Sequence, residues 1–166
     1  MSNLPLPSSK LPPPSIEWQC LRLGDMQPLA LHRMLRARQE VFVLEQNCVY
    51  LDADDADEQA WHLAGWAADW QLMACARIIA PGVKYPEASI GRVLTARAAR
   101  GSGLGRELLH RAIERAAALH PGMGLRISAQ RYLTRFYGDF GFVVAGEPYL
   151  EDGIAHVEMF RVGVFA

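Results

Sequence analysis

The segment Arg100-Gly101-Ser102-Gly103-Leu104-Gly105 constrains this chain more than any other, because it joins a short apolar strand to a long amphipathic helix. Upstream, residues 90–95 (IGRVLT) read as a buried strand. Downstream, Leu104, Leu108, Leu109, Ala112, Ile113, Ala116 and Leu119 recur at helical spacing and give one apolar helix face. Strand, glycine turn and helix in that order form a unit of a layered α/β structure. The first turn of a helix carries N–H groups without intrahelical partners, beside the positive end of the helix dipole. Three glycines let the backbone approach an anion closely, so the turn is expected to bind phosphate or pyrophosphate.

Spacing excludes two common phosphate binders. A nucleotide triphosphatase loop needs Lys directly after its last glycine, and none follows Gly105. A dinucleotide fold needs a third glycine where Arg106 stands. It also needs an acid after the next strand, where the chain reads Arg126-Ile127-Ser128-Ala129-Gln130. What remains is R-x-x-G-x-G from Arg100 to Gly105, which resembles the acetyl-coenzyme A loop of the GNAT superfamily of N-acyltransferases. Taken alone, the same glycines also suit a tight turn with no ligand. Further on, Phe136-Tyr137-Gly138-Asp139-Phe140-Gly141-Phe142 resembles the GNAT signature in which a short helix ends in F-Y-x-x-x-G-F. GNAT proteins often have Asn seven residues before that Tyr; here Gln130 keeps a side-chain amide at the position. The resemblance extends to the ElaA-like branch. Residues 38–48 (RQEVFVLEQNC), 62–66 (HLAGW), 90–93 (IGRV) and 151–156 (EDGIAH) carry it.

Bulk properties fit one domain. The chain has 166 residues, 51% of them hydrophobic, enough for a sizeable core. Seventeen Lys and Arg against eighteen Asp and Glu leave a net charge of −1, so neither nucleic acid nor a membrane is an expected partner. Cys20, Cys48 and Cys75 lack C-x-x-C spacing, which points to a reducing cytoplasm and to no metal. Residues 1–16 hold five prolines and are expected to form an extended, disordered tail before a single domain over 17–166.

Within that domain the patterns predict a strand over 17–23, a helix over 26–44 and a hairpin over 61–68 and 71–80. The 90–95 strand and the 104–119 helix follow. A strand over 125–129, a helix over 133–140 and closing strands over 142–145 and 157–162 complete the chain. The expected class is α/β, a mixed sheet flanked by helices, which is also the fold that the GNAT resemblance implies.

The resemblance further implies an N-acetyltransferase that binds acetyl-CoA and a small-molecule or peptide amine together, with direct attack of the amine on the thioester. Pantetheine would lie along Val93, Leu94 and Thr95. Backbone N–H groups of Gly101, Ser102, Gly103, Leu104, Gly105 and Arg106 would hold the pyrophosphate, helped by the charges of Arg100 and Arg106, with Gln130 close by. Tyr137 would be the general acid, a phenol whose ordinary pKa of about 10 lies above a thiol's of about 8.5. His156, His62, Glu45 and Asp52 are candidate bases, the imidazoles because their ordinary pKa is about 6.5. Ser89 stands where some GNAT histone acetyltransferases carry a basic Glu. Three alternatives stay open: a covalent route through Cys48, a non-catalytic acyl-CoA sensor, and a homodimer that uses exposed Trp66 or Trp70. The loop over 52–58, with five acids, reads either as a solvated segment or as a lure for a cationic amine.

Overall fold

The alternating pattern at the start of the domain becomes an edge strand, β1 (Glu17–Arg22). The chain then forms a helix, α1 (Pro28–Arg38), with Pro at its first position, where a missing N–H costs nothing. The computed structural model describes residues 15–163, so the tail expected over 1–16 lies outside them except for its last two positions. A short helix, α2 (Ala56–Gln59), precedes three antiparallel strands, β2 (Trp61–Trp66), β3 (Leu72–Ile79) and β4 (Ala88–Thr95). The amphipathic helix α3 (Leu104–Leu119) crosses over to β5 (Leu125–Gln130), which runs parallel to β4. The chain ends in α4 (Thr134–Gly138), β6 (Val143–Val144), β7 (Tyr149–Glu151) and β8 (Ile154–Arg161). The sheet order is β1-β2-β3-β4-β5-β8-β6, with β7 also paired to β8.

Each face of the sheet has its own core. Leu108, Leu109 and Ala112 of α3 pack on Ile78, Ile90 and Ile127. On the other face, Ala30 and Met34 of α1 pack on Trp66, Cys75 and Leu94. Helices on both faces of a mixed sheet make this an α/β layered fold. Among the described residues no helix is long and apolar enough to cross a membrane.

Four expectations change in detail. The helix expected over 26–44 is α1 followed by a π-helical stretch, Gln39–Glu45. There the Cys48 N–H donates to the Val43 carbonyl at 3.1 Å, five residues back. The widened turn lets Val41 and Phe42 pack on the α1 core while Glu45 and Gln46 turn toward the sheet. The second change is the added strand β7, three exposed residues too short to show periodicity. Asp152 (φ 50°) and Gly153 (φ 78°) tie it to β8 by a two-residue turn with both φ positive.

The third change concerns Trp66, which is buried rather than exposed, because β2 lies between β1 and β3 under α1. Trp70 alone of the pair is half-exposed. The last is the acidic loop, which is neither fully solvated nor a free lure. Asp52 and Asp57 are buried against Arg38, while Asp54 pairs with Arg77 and Arg92. Arg38 (1% exposed) and Arg77 reach into the fold from α1 and β3 and need those acids as partners.

Candidate active site

Strands β4 and β5 pair only at Ala88↔Leu125 and Ser89↔Arg126. Beyond that point they separate, and the β4 edge from Ile90 to Thr95 faces β5 without a strand partner among the described residues. Unpaired strand groups are ready-made donors and acceptors for an extended ligand. The resulting cleft has a volume of about 670 Å³. Val93, Thr95, Arg100, Gln130, Tyr137 and His156 are among the residues on its walls.

At the end of β4 the glycine loop turns into α3. Gly101 and Gly103 have φ of 78° and 89°, conformations that a side chain disfavours. The N–H groups of Gly101, Ser102, Gly103 and Gly105 have no partner among the described residues, and that of Leu104 has only a long contact of 3.4 Å to Ser102 Oγ. A Cβ on Gly105 would sit 3.7 Å from Thr95, so this glycine brings α3 close to β4. Such a nest at the start of a sixteen-residue helix is built for an anion.

Arg106 behaves differently. Its N–H already donates to the Gly103 carbonyl at 3.0 Å, and its guanidinium pairs with Asp139 at 2.9 Å over the Phe140 ring. Arg106 therefore braces α3 against α4 and is absent from the cleft walls. Arg100 does line the cleft, where its Nη2 lies 2.8 Å from Glu45 Oε2. Leu94 turns its side chain into the α1 core, leaving only its backbone toward the β4 edge.

Tyr137 projects from α4 into the cleft, with its ring edge-on to Phe136 and Phe142. Burial pushes its phenol up to about 12, with Tyr132 adding to the shift, so the hydroxyl keeps its proton across the physiological range. His156 on β8 pairs in register with Gln130 and stacks on Tyr149. Its Nδ1 lies 2.9 Å from the Ile154 carbonyl. A carbonyl only accepts, so Nδ1 carries the hydrogen and a neutral imidazole has its lone pair on Nε2. Gln130 donates to Gln46 Oε1 at 3.2 Å, which ties β5 to the π-helical segment.

The other candidates are placed elsewhere or already engaged. His62 is buried, lies off the cleft walls, and donates from Nε2 to the Asp57 carbonyl at 3.0 Å. Burial lowers its pKa, with nearby Arg38 and Arg77 contributing and Asp57 opposing. Glu45 is on the wall but held by Arg100, and Asp52 is buried off the walls between Arg38 and Arg92. Cys48 is also on the wall, and its Sγ contacts the carbonyls of Gln46 and Asp152, with no imidazole in hydrogen-bond contact.

Sequence reasoning missed Arg92. It has φ of 51°, unusual for a side-chain-bearing residue, at a register shift between β3 and β4. Its Nε lies 2.8 Å from Asp52 Oδ1 and its guanidinium stacks near Tyr50 and Phe42. The bulge at this point leaves neighbouring β4 backbone groups free to face the cleft. Neither φ nor register has a mark in the sequence.

The family model described as an acetyltransferase (GNAT) domain matches residues 50–161. This chain belongs to the GNAT acetyltransferase family. Protein ElaA of Escherichia coli is 38% identical over 148 residues, spanning 88% of this chain and 96% of that protein. A UPF0039 protein of Synechocystis is 50% identical over 148 residues, 89% of this chain and 96% of its own length. Among solved structures, an acyl-CoA N-acyltransferase from Pseudomonas aeruginosa superposes with a TM-score of 0.84 at 40% identity, covering 89% of this chain and all of that one. These likenesses put this GNAT protein on the ElaA-like branch and make it an acyltransferase.

Proposed function

We propose that this protein transfers an acetyl group from acetyl-CoA to a primary amine in the cytoplasm, by direct attack within a ternary complex. The observation that carries the reading is the unpaired β4 edge, which leads from an anion-binding glycine loop to a cleft holding Tyr137 and His156. Pyrophosphate fits the free N–H groups of Gly101 to Gly105, and pantetheine fits the β4 edge as an added strand. No metal enters this scheme.

Protons balance as follows. His156 Nε2 takes one proton from the substrate ammonium, the N–C bond forms as the C–S bond breaks, and the amide nitrogen sheds a second proton to solvent. Tyr137 donates to the leaving thiolate and is reprotonated, so each turnover releases one proton overall. His156→Gln is expected to lower kcat at pH 7 by about tenfold. The loss should fade at high pH, where the amine loses its proton in water. A pH–rate profile that stays parallel to wild type would remove His156 from this role.

Calorimetric titration with acetyl-CoA, followed by thiol release against a panel of amines, tests the whole reading. Saturable binding and amine-dependent thiol release are expected. Gly103→Trp, strained at φ 89° and filling the nest, is expected to weaken coenzyme binding by about tenfold or more. Coenzyme affinity unchanged in that variant would leave the loop a mere turn.

A further inference from the structure

Assigning the β4 edge and the glycine loop to the coenzyme leaves the remaining walls of the cleft for the acceptor. The glycine loop follows the C-terminal end of β4, whereas Lys84 precedes the strand's first residue, Ala88. At about 3.3 Å per residue, the strand sets these two ends roughly 20 Å apart. The cleft is also walled by Lys84 in the β3–β4 connection, by Ser128 on β5 and, across from β4 and past the C-terminal end of β5, by the β7–β8 turn carrying Glu151 and Asp152.

Most charges on these walls cancel. On the walls, Arg77 is answered by Asp54 and Asp57, Arg92 by Asp52 and Asp54, and Arg100 by Glu45. Among the described residues, Lys84, Glu151 and Asp152 make no ion pair although all three line the cleft. Glu151 accepts a hydrogen bond from Ser128 Oγ at 3.2 Å, and that hydroxyl lies 2.5 Å from Tyr149 Oη. Lys84 has only the ring of its neighbour Tyr85, 5.3 Å from Nζ. One unanswered cation and two unanswered carboxylates therefore face the same space.

Resting on the acyl-transfer reading above, we propose that the acceptor is an amine that also carries a carboxylate, an amino acid or a close analogue. Lys84 receives the carboxylate, while Glu151 and Asp152 draw the ammonium toward His156. A simple alkylamine uses the two acids and leaves Lys84 unanswered; a zwitterion answers both signs. Burial also lowers the Lys84 ammonium below the ordinary lysine value, with Glu151 opposing, while the residue as a whole stays exposed and open to an incoming group.

Matched acceptors that differ only in the acid test this: β-alanine against β-alaninamide, and lysine against lysinamide, followed by thiol release at saturating acetyl-CoA. The acid is expected to exceed its amide in kcat/KM by about tenfold, the worth of one charge-assisted contact. Lys84→Gln should erase that preference without changing the KM of acetyl-CoA, and Lys84→Arg should retain it. Amides used as well as acids, or a preference that survives Lys84→Gln, would overturn the assignment and leave acyl transfer intact. Tight acetyl-CoA binding with no turnover of any acid or amide would overturn acyl transfer, and this assignment with it.

Discussion

Replacing Tyr137 with Phe is expected to lower kcat by about 10²-fold while leaving acetyl-CoA affinity unchanged. The variant removes one oxygen and keeps the ring. Tyr137 is 8% exposed, and its edge-on contacts with Phe136 and Phe142, at 5.2 and 6.0 Å between ring centres, are all made by carbon. Packing should therefore survive the change. The lost hydroxyl has no protein hydrogen-bond partner among the described residues, so its role falls to whatever enters the cleft. Burial holds the phenol at about 12, above the ordinary thiol value of about 8.5, so full proton transfer to sulfur in water would run uphill. A thiolate leaving inside the same cleft loses water too and its affinity for a proton rises, which narrows that gap. The high phenol value also means that kcat should show no alkaline fall from Tyr137 below about pH 10. Single-turnover kinetics with calorimetry separate the two parameters. A loss under about threefold would reduce Tyr137 to a packing residue.

What the sequence made legible followed from strong local signals. The helical spacing of Leu104 to Leu119 is that of α3, where six of those apolar positions are buried on one stripe. The glycine loop could be read because positive φ leaves its mark as glycine. The β4–β5 separation had no such mark. Pairing that stops after Ser89↔Arg126 depends on sheet twist and on the bulge at Arg92, where an ordinary side chain holds a left-handed backbone. Distances across the chain were equally silent. His62 and His156 look alike as lone histidines on strands, yet one is locked to Asp57 beneath the sheet and the other faces the cleft. The acidic loop misled for a related reason. Its charge density suggested solvent, but its arginine partners come from α1, β3 and β4, at sequence separations that no local window spans. Asp152-Gly153 was a readable hairpin turn, and only the brevity of β7 hid the strand before it.

That acidic loop carries the other large expected effect. Asp57→Ala is expected to destabilise the fold by about 3–5 kcal/mol, the usual result of removing one partner from a buried ion pair. Asp57 accepts from Arg38 Nη1 at 2.7 Å, Arg38 Nη2 at 3.0 Å, Arg77 Nη1 at 2.9 Å and the Asp54 N–H at 3.0 Å. Its loss leaves two arginine side chains, 1% and 5% exposed, with half their countercharge. For a chain of this length the melting temperature should fall by roughly 10 °C. The dependence on pH has a definite sign. Burial works against the Asp57 charge, but hydrogen bonds and charge from Arg38 outweigh it and hold the carboxyl well below the usual range. A carboxyl depressed in the folded state stabilises the fold fully above its unfolded value of about 3.9, and that contribution fades as pH falls below it. Wild type should therefore lose stability steeply below about pH 4, and Asp57→Ala should show a shallower loss over the same window. Urea midpoints measured at pH 7, 4 and 3 distinguish the cases. A difference under about 1 kcal/mol at pH 7, or parallel acid slopes, would mean that Asp52 and Asp54 hold the arginines in place without Asp57. If the full loss appears, Asp57 is the fixed point on which Arg38 and Arg77 are set. Asp54, shared between Arg77 and Arg92, then links that point to the β4 bulge beside the cleft.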